Sequence, residues 1–130
     1  MKKLELGSCV YRVDGIGKVR PHFVITKPCG EPLIVIAVNV TDFNTHYDHT
    51  VVLETEHASI KKKSVVAYRK TQFWLVAQIE AELNNNEERT ELHRPDPVCS
   101  IELVKLLRKG LMKSTATAEK FKRHLRDNEC

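Results

Sequence analysis

The 130-residue chain lacks any apolar run close to the roughly 20 residues that a membrane-spanning helix needs. No signal peptide follows Met1-Lys2-Lys3, so a cytoplasmic location without membrane attachment is expected. A Cys-x-x-Cys pair is also missing: Cys9, Cys29, Cys99 and Cys130 lie far apart. Spaced this way in a cytosolic chain, they read as isolated thiols, not as a disulfide framework or a zinc site, and no metal or other cofactor is expected. Cys9 and Cys99 read as small core residues. Glycine is scarce, with five in all. Asp14-Gly15-Ile16-Gly17-Lys18 holds two of them but has neither the length nor the Lys-Ser/Thr ending of a phosphate-binding loop. A hairpin turn is the simpler reading. Internal repeats are absent.

What is present is an ordinary globular composition, 42% apolar and 29% charged, in a length that suits one domain, residues 1–130. The formal net charge of +4 and a pI near 8.9 fit a polyanionic partner and fit a solvated cationic face equally well.

The chain is organised around Val19–Thr41. Two β-branched runs flank Lys27-Pro28-Cys29-Gly30-Glu31-Pro32, a connection too rich in proline and glycine for a helix. Leu33–Val40 is almost wholly apolar, which predicts a central strand buried on both faces of a small sheet or barrel. Gly7–Val13, Thr50–Glu54 and Ser64–Tyr68 supply further strands, the last extended by Arg69 and Lys70. Phe73–Leu83 fits a helix through Leu75, Ile79 and Leu83, and a strand by alternation, equally well. Asn84–Pro97 is a polar connector. Ser100 is placed to cap a helix over Ile101–Lys113, with Gly110 positioned to end it early. Thr115–Arg126 is a second amphipathic helix, to be packed on the sheet, on a partner, or against RNA.

Five segments, in this order, resemble the MazF/PemK family, the ribonuclease toxins of type II toxin–antitoxin systems. Gly7-Ser8-Cys9-Val10-Tyr11 is similar to the family's opening strand, and Val19-Arg20-Pro21-His22-Phe23-Val24-Ile25 to its Arg-Pro-hydrophobic strand. Ile36-Ala37-Val38-Asn39-Val40-Thr41 resembles its apolar strand ending in Thr. Thr50-Val51-Val52-Leu53 and Lys63-Ser64-Val65-Val66-Ala67-Tyr68 follow in place of the next two. The resemblance covers most of Leu6–Leu83. It implies a mainly β fold: a small SH3-like barrel over about residues 6–83, with Phe73–Leu83 as its final strand. A connector would follow over 84–99, then one or two packed helices over 100–126.

The same resemblance implies a cytoplasmic homodimer that cleaves single-stranded RNA without a metal and is silenced by an antitoxin protein. Its catalytic residues would be Arg20, clamping the phosphate with a planar guanidinium, and Thr41, bonding a phosphate oxygen or positioning the 2′-hydroxyl. Lys18, Arg20, Arg69 and Lys70 would line the RNA groove. Each residue also has a plainer reading: Arg20 as a strand-start arginine paired to Asp14 or Glu31, and Thr41 as a turn residue. Arg69 and Lys70 stand where some relatives carry Asp and Gln, which makes the rim more cationic. A substitute proton carrier would then come from His22, His46 or His49. The lysine triplet Lys61-Lys62-Lys63 reads as a solvated turn, or as phosphate contacts if it lies near the groove. His46-x-x-His49 with Asp42, Asp48 and His57 raises a metal site, but the segment lacks the fixed placement of a zinc signature and reads as a solvated loop. The alternative function is a catalytically inactive barrel module that binds nucleic acid or a protein.

Overall fold

β-branched segments that are apolar on both sides can be satisfied only where something covers each face of the sheet they form. The computed structural model, which describes residues 2–13, 17–46, 48–85 and 98–130, is built in that way. Strands β1 (Cys9–Val13), β2 (Val19–Val24), β3 (Ile34–Asp42), β4 (Val52–Leu53) and β5 (Ser64–Leu75) precede three helices. These are α1 (Val76–Asn85), α2 (Ile101–Lys113) and α3 (Glu119–Asp127). The strands form one antiparallel sheet in the order β1-β2-β3-β5-β4. The fold is mainly β, a curled five-stranded half-barrel carrying helices.

β3 lies at the centre, buried on both faces as its composition requires. Ile36, Val38 and Val40 join Cys9, Phe23, Val66 and Tyr68 in a core closed by Leu103, Leu107 and Leu111 of α2 and Phe121 of α3. Val35 and Ala37 point the other way, into a smaller core with Val10, Val24, Trp74, Ile79 and Leu83. Each fully buried leucine, such as Leu107 or Leu111, contributes about 1.5–3 kcal/mol relative to exposure.

Three expectations are corrected. Phe73–Leu83 is not a closing strand: β5 stops at Leu75, and α1 begins at Val76. The two periods are separated by tertiary contact, since Val76, Ile79 and Leu83, spaced by three and four, are buried while Ala77 and Ala81 are exposed. The strand part of the expected 6–83 unit therefore ends at 75. Its helix receives the chain's beginning: Glu80 Oε2 accepts from the Leu4 amide at 2.7 Å, and Asn84 pairs with both backbone groups of Lys2.

Nor are all four cysteines isolated thiols. Cys29 and Cys130 form a disulfide, while Cys9 and Cys99 are buried and free. A separation of 101 residues carries no local signature, so only the folded chain brings these two together. Finally, Gly110 does not end α2, which runs on to Lys113. A Cβ there would overlap Tyr68 and Val51, and the Tyr68 hydroxyl donates to the Leu107 carbonyl at 2.8 Å. Glycine is the price of that close approach. The Ser100 cap is in place, its hydroxyl accepting from the Leu103 amide at 3.1 Å. The fourth strand is shorter than Thr50–Glu54, and most of the 84–99 connector, residues 86–97, lies outside the described residues.

Candidate functional site

The site follows from how β2 and β3 pair. His22 faces Asn39, Phe23 faces Val38 and Val24 faces Ala37. Carried two residues further, this register brings Arg20 level with Thr41 and on the same side of the sheet, where the ladder has ended and the strands open. Here Arg20 and Thr41 line one cleft of about 170 Å³. Its remaining walls are Val19, Pro21, Val40 and Asp42 from the strands, Ser59, Ile60, Lys61 and Lys62 from the β4–β5 connection, and Ser64.

Hydrogen bonds fix the connection in place. The Phe43 amide donates to the Lys63 carbonyl at 3.1 Å, the Ile60 amide to the His57 carbonyl at 3.0 Å, and Ser64 Oγ to the Lys62 carbonyl at 2.8 Å. Lys61 and Lys62 thereby face the cleft, while Lys63 lies over the Phe43 ring at 4.2 Å. The β2 end is braced by His22. Because the Arg20 carbonyl can only accept, His22 Nδ1 carries the proton of their 2.9 Å bond; Nε2 then receives Asn39 Nδ2–H at 3.1 Å. His22 packs against Trp74, with ring centroids 5.4 Å apart.

Arg20 pairs with Asp42: Nη1 is 3.4 Å from Oδ1, and Lys62 Nζ is 3.3 Å from Oδ2; Asp14, one of the expected partners, lies outside the described residues. Burial pushes the Asp42 carboxyl up, but the Lys62 hydrogen bond and the Arg20 charge outweigh it and hold the group below its ordinary value. The Arg20 side chain is 13% exposed and Thr41 5%, so an anion reaches them only through the cleft. Around the Asp42 carboxylate the cleft presents a guanidinium, two ammonium groups and three hydroxyls, groups of the kind that bond an oxyanion.

Lys18, Arg69 and Lys70 are not among the residues lining it. Arg69 and Lys70 sit in an irregular stretch of β5, where the partner of Asn39 is Ala67 but that of Ala37 is Gln72. His46 and His49 stand outside too; His49 stacks on Phe43 and bonds the Asn44 carbonyl at 2.8 Å. Among the described residues no group of three or more His, Cys, Asp and Glu is placed to hold a metal ion. Two larger depressions exist. One, of about 430 Å³, is lined by Arg12, Phe73, Trp74 and Lys120; the other, of about 310 Å³, by Arg108, Met112, Leu125 and Arg126. Arg12 is bound to Glu82 and stacked on Trp74, and Arg126 is bound to Glu119.

Sequence reasoning missed most of the connection that walls the cleft. The lysine triplet was its visible signal. The pairing of His57 with Ser59, whose hydroxyl lies 2.8 Å from Nδ1, left only a two-residue spacing to notice.

The fold and the cleft together define a class: a curled β half-barrel with helices and a cationic, hydroxyl-lined cleft at one end of its central strands. Compared with known proteins, the chain matches no family model and no curated protein.

Proposed function

We propose that this chain is a toxin-like, metal-independent endoribonuclease of the MazF/PemK kind, on an SH3-like barrel, that binds the scissile phosphate of single-stranded RNA in the Arg20–Thr41 cleft. One observation carries the reading: a guanidinium and a threonine hydroxyl from different strands line one cleft, with Lys61 and Lys62 beside them. Arg20 takes two phosphate oxygens and stabilises the charge that builds as the 2′-oxygen attacks phosphorus; the Thr41 hydroxyl bonds a third oxygen. Lys18, Arg69 and Lys70 belong to the same proposal as contacts to flanking phosphates, with affinity falling as salt rises. So do a cytoplasmic location, a homodimer and neutralisation by an antitoxin protein. No helix among the described residues is long and apolar enough to cross a membrane.

A second reading, a non-catalytic module binding nucleic acid or a protein, is favoured by one feature. Asp42 already occupies the guanidinium, as a carboxylate held ionised by two cations. The two separate in one experiment. Purified protein is incubated with a long single-stranded RNA and excess chelator, beside Arg20→Ala and Thr41→Ala. Cleavage predicts fragments ending in 2′,3′-cyclic phosphate, reduced about 10²–10³-fold by Arg20→Ala. RNA retention without fragments gives a nucleic-acid-binding module; neither retention nor fragments defeats the ribonuclease and leaves a protein-binding module.

A further inference from the structure

Cleavage by 2′-hydroxyl attack needs a proton acceptor, and among the residues lining the cleft the obvious one is poorly suited. Asp42 is shared between Arg20 and Lys62 and held below its ordinary carboxylate value, which makes it a weak base. The arginine and lysines are donors, and the hydroxyls need a partner to take their protons.

One hydroxyl has such a partner. Ser59 lines the cleft, and its Oγ is 2.8 Å from His57 Nδ1. The Ser59 backbone amide reaches the same nitrogen at 3.0 Å. An amide only donates, so Nδ1 is the unprotonated nitrogen, and the hydroxyl proton points at it as well. Imidazole is the side chain whose ordinary titration falls near neutrality. The pair is held from behind: the His57 ring meets Phe23 edge-on at 5.1 Å, and both residues are nearly buried. Tyr11 and Cys9 of β1 are titratable groups beside the serine. Burial pushes the Cys9 thiol up to about 12 and raises the Tyr11 phenol, so both stay neutral where RNA is handled. On the cleft side the charged groups are Arg20, Asp42, Lys61 and Lys62.

We infer that Ser59 relays the proton of the attacking ribose hydroxyl to His57. The inference rests on the ribonuclease reading of the same cleft. As the 2′-oxygen bonds to phosphorus, its proton passes to Ser59 Oγ and the serine's own proton passes to His57 Nδ1. The P–O5′ bond then breaks with its electron pair on O5′, which takes a proton from water. The resulting hydroxide is neutralised by the proton held on His57. The products are a 2′,3′-cyclic phosphate and a 5′-hydroxyl, and no other reactant is consumed. Ser59 touches the substrate; His57 acts through it.

The test is a pH–rate profile for single-turnover cleavage of a fluorescent single-stranded RNA by the full chain, alongside Ser59→Ala, Ser59→Thr, His57→Gln and Arg20→Ala. Wild-type rates should fall on the acid side as the imidazole becomes charged. Ser59→Ala should lose about a hundredfold or more in rate and flatten that acid limb, a loss much larger than any it causes in RNA affinity. Ser59→Thr, which keeps the hydroxyl, should recover much of the rate. Ser59→Ala removes one oxygen and leaves the amide bond to His57, so it decides the matter even where His57→Gln fails to fold. A Ser59→Ala protein that cuts at the wild-type rate with the wild-type profile overturns the relay; if Arg20→Ala is then still inactive, the ribonuclease reading stands alone. Wild-type protein that leaves the RNA intact across the pH range overturns both.

Discussion

Opening the Cys29–Cys130 disulfide should lower the stability of the chain by about 2–4 kcal/mol. The bridge joins the connection between β2 and β3 to the segment that follows α3, spanning 101 residues. Closing a loop of about 100 residues in the unfolded chain corresponds to about 4.7 kcal/mol by chain entropy, while measured losses usually fall at about 2–4 kcal/mol. At about 2.1 cal/mol/K per residue, unfolding this 130-residue chain carries an entropy of about 0.27 kcal/mol/K, so that loss lowers Tm by roughly 7–15 °C. Beside the bridge the Lys27 amide donates to the Cys130 carbonyl at 2.8 Å, a hydrogen bond that cannot hold the segment after α3 alone. Thermal unfolding followed by circular dichroism would compare untreated protein, protein in reductant, and Cys29→Ser/Cys130→Ser. The last two should coincide, and thiol titration after unfolding should find two reactive groups in untreated protein, Cys9 and Cys99. Four thiols in protein purified without reductant, or a Tm within about 2 °C of the double variant, would refute the argument. Disulfides are rare in reducing cytosol, so the same titration on protein from cell extract also bears on the proposed location.

Two substitutions test the packing and the cleft. Gly110→Ala improves helix propensity by about 1 kcal/mol, yet its methyl would overlap Tyr68 and Val51. A net loss of about 1–3 kcal/mol in urea unfolding is expected, and a stabilised variant would show that α2 does not sit this close to β5. Asp42→Asn removes the carboxylate that competes for Arg20 and Lys62. One fewer negative charge beside a bound phosphate is worth about 1 kcal/mol, so RNA should bind roughly fivefold more tightly at low salt, measured by fluorescence anisotropy. Folding stability should change by less than about 1 kcal/mol, because the Asp42 side chain is about half-exposed; weaker RNA binding would mean that Asp42 orients Arg20 instead of competing with it.

Local chemistry was enough to place the central strand, the β2 start at Val19 and the Ser100 cap. In each case the burying face or the capping oxygen is written into a few neighbouring residues. It also brought Arg20 and Thr41 to one end of an antiparallel pair, because strand direction alone sets which ends meet. Other features depended on contacts that no window of sequence contains. Phe73–Leu83 carried two compatible periods, and the apolar pocket beneath Val35 and Trp74 selected the helical one from Val76 onward. Gly110 looked like a helix end until Tyr68, 42 positions earlier, was packed against it. Cys29 met Cys130 only because α3 returns over the sheet. The cleft's other wall, from Ser59 to Lys62, likewise comes from a connection tied back to the end of β3 by the Phe43–Lys63 backbone bond. Periodicity and residue type decide what a segment must bury; which partner buries it is decided by the whole chain at once.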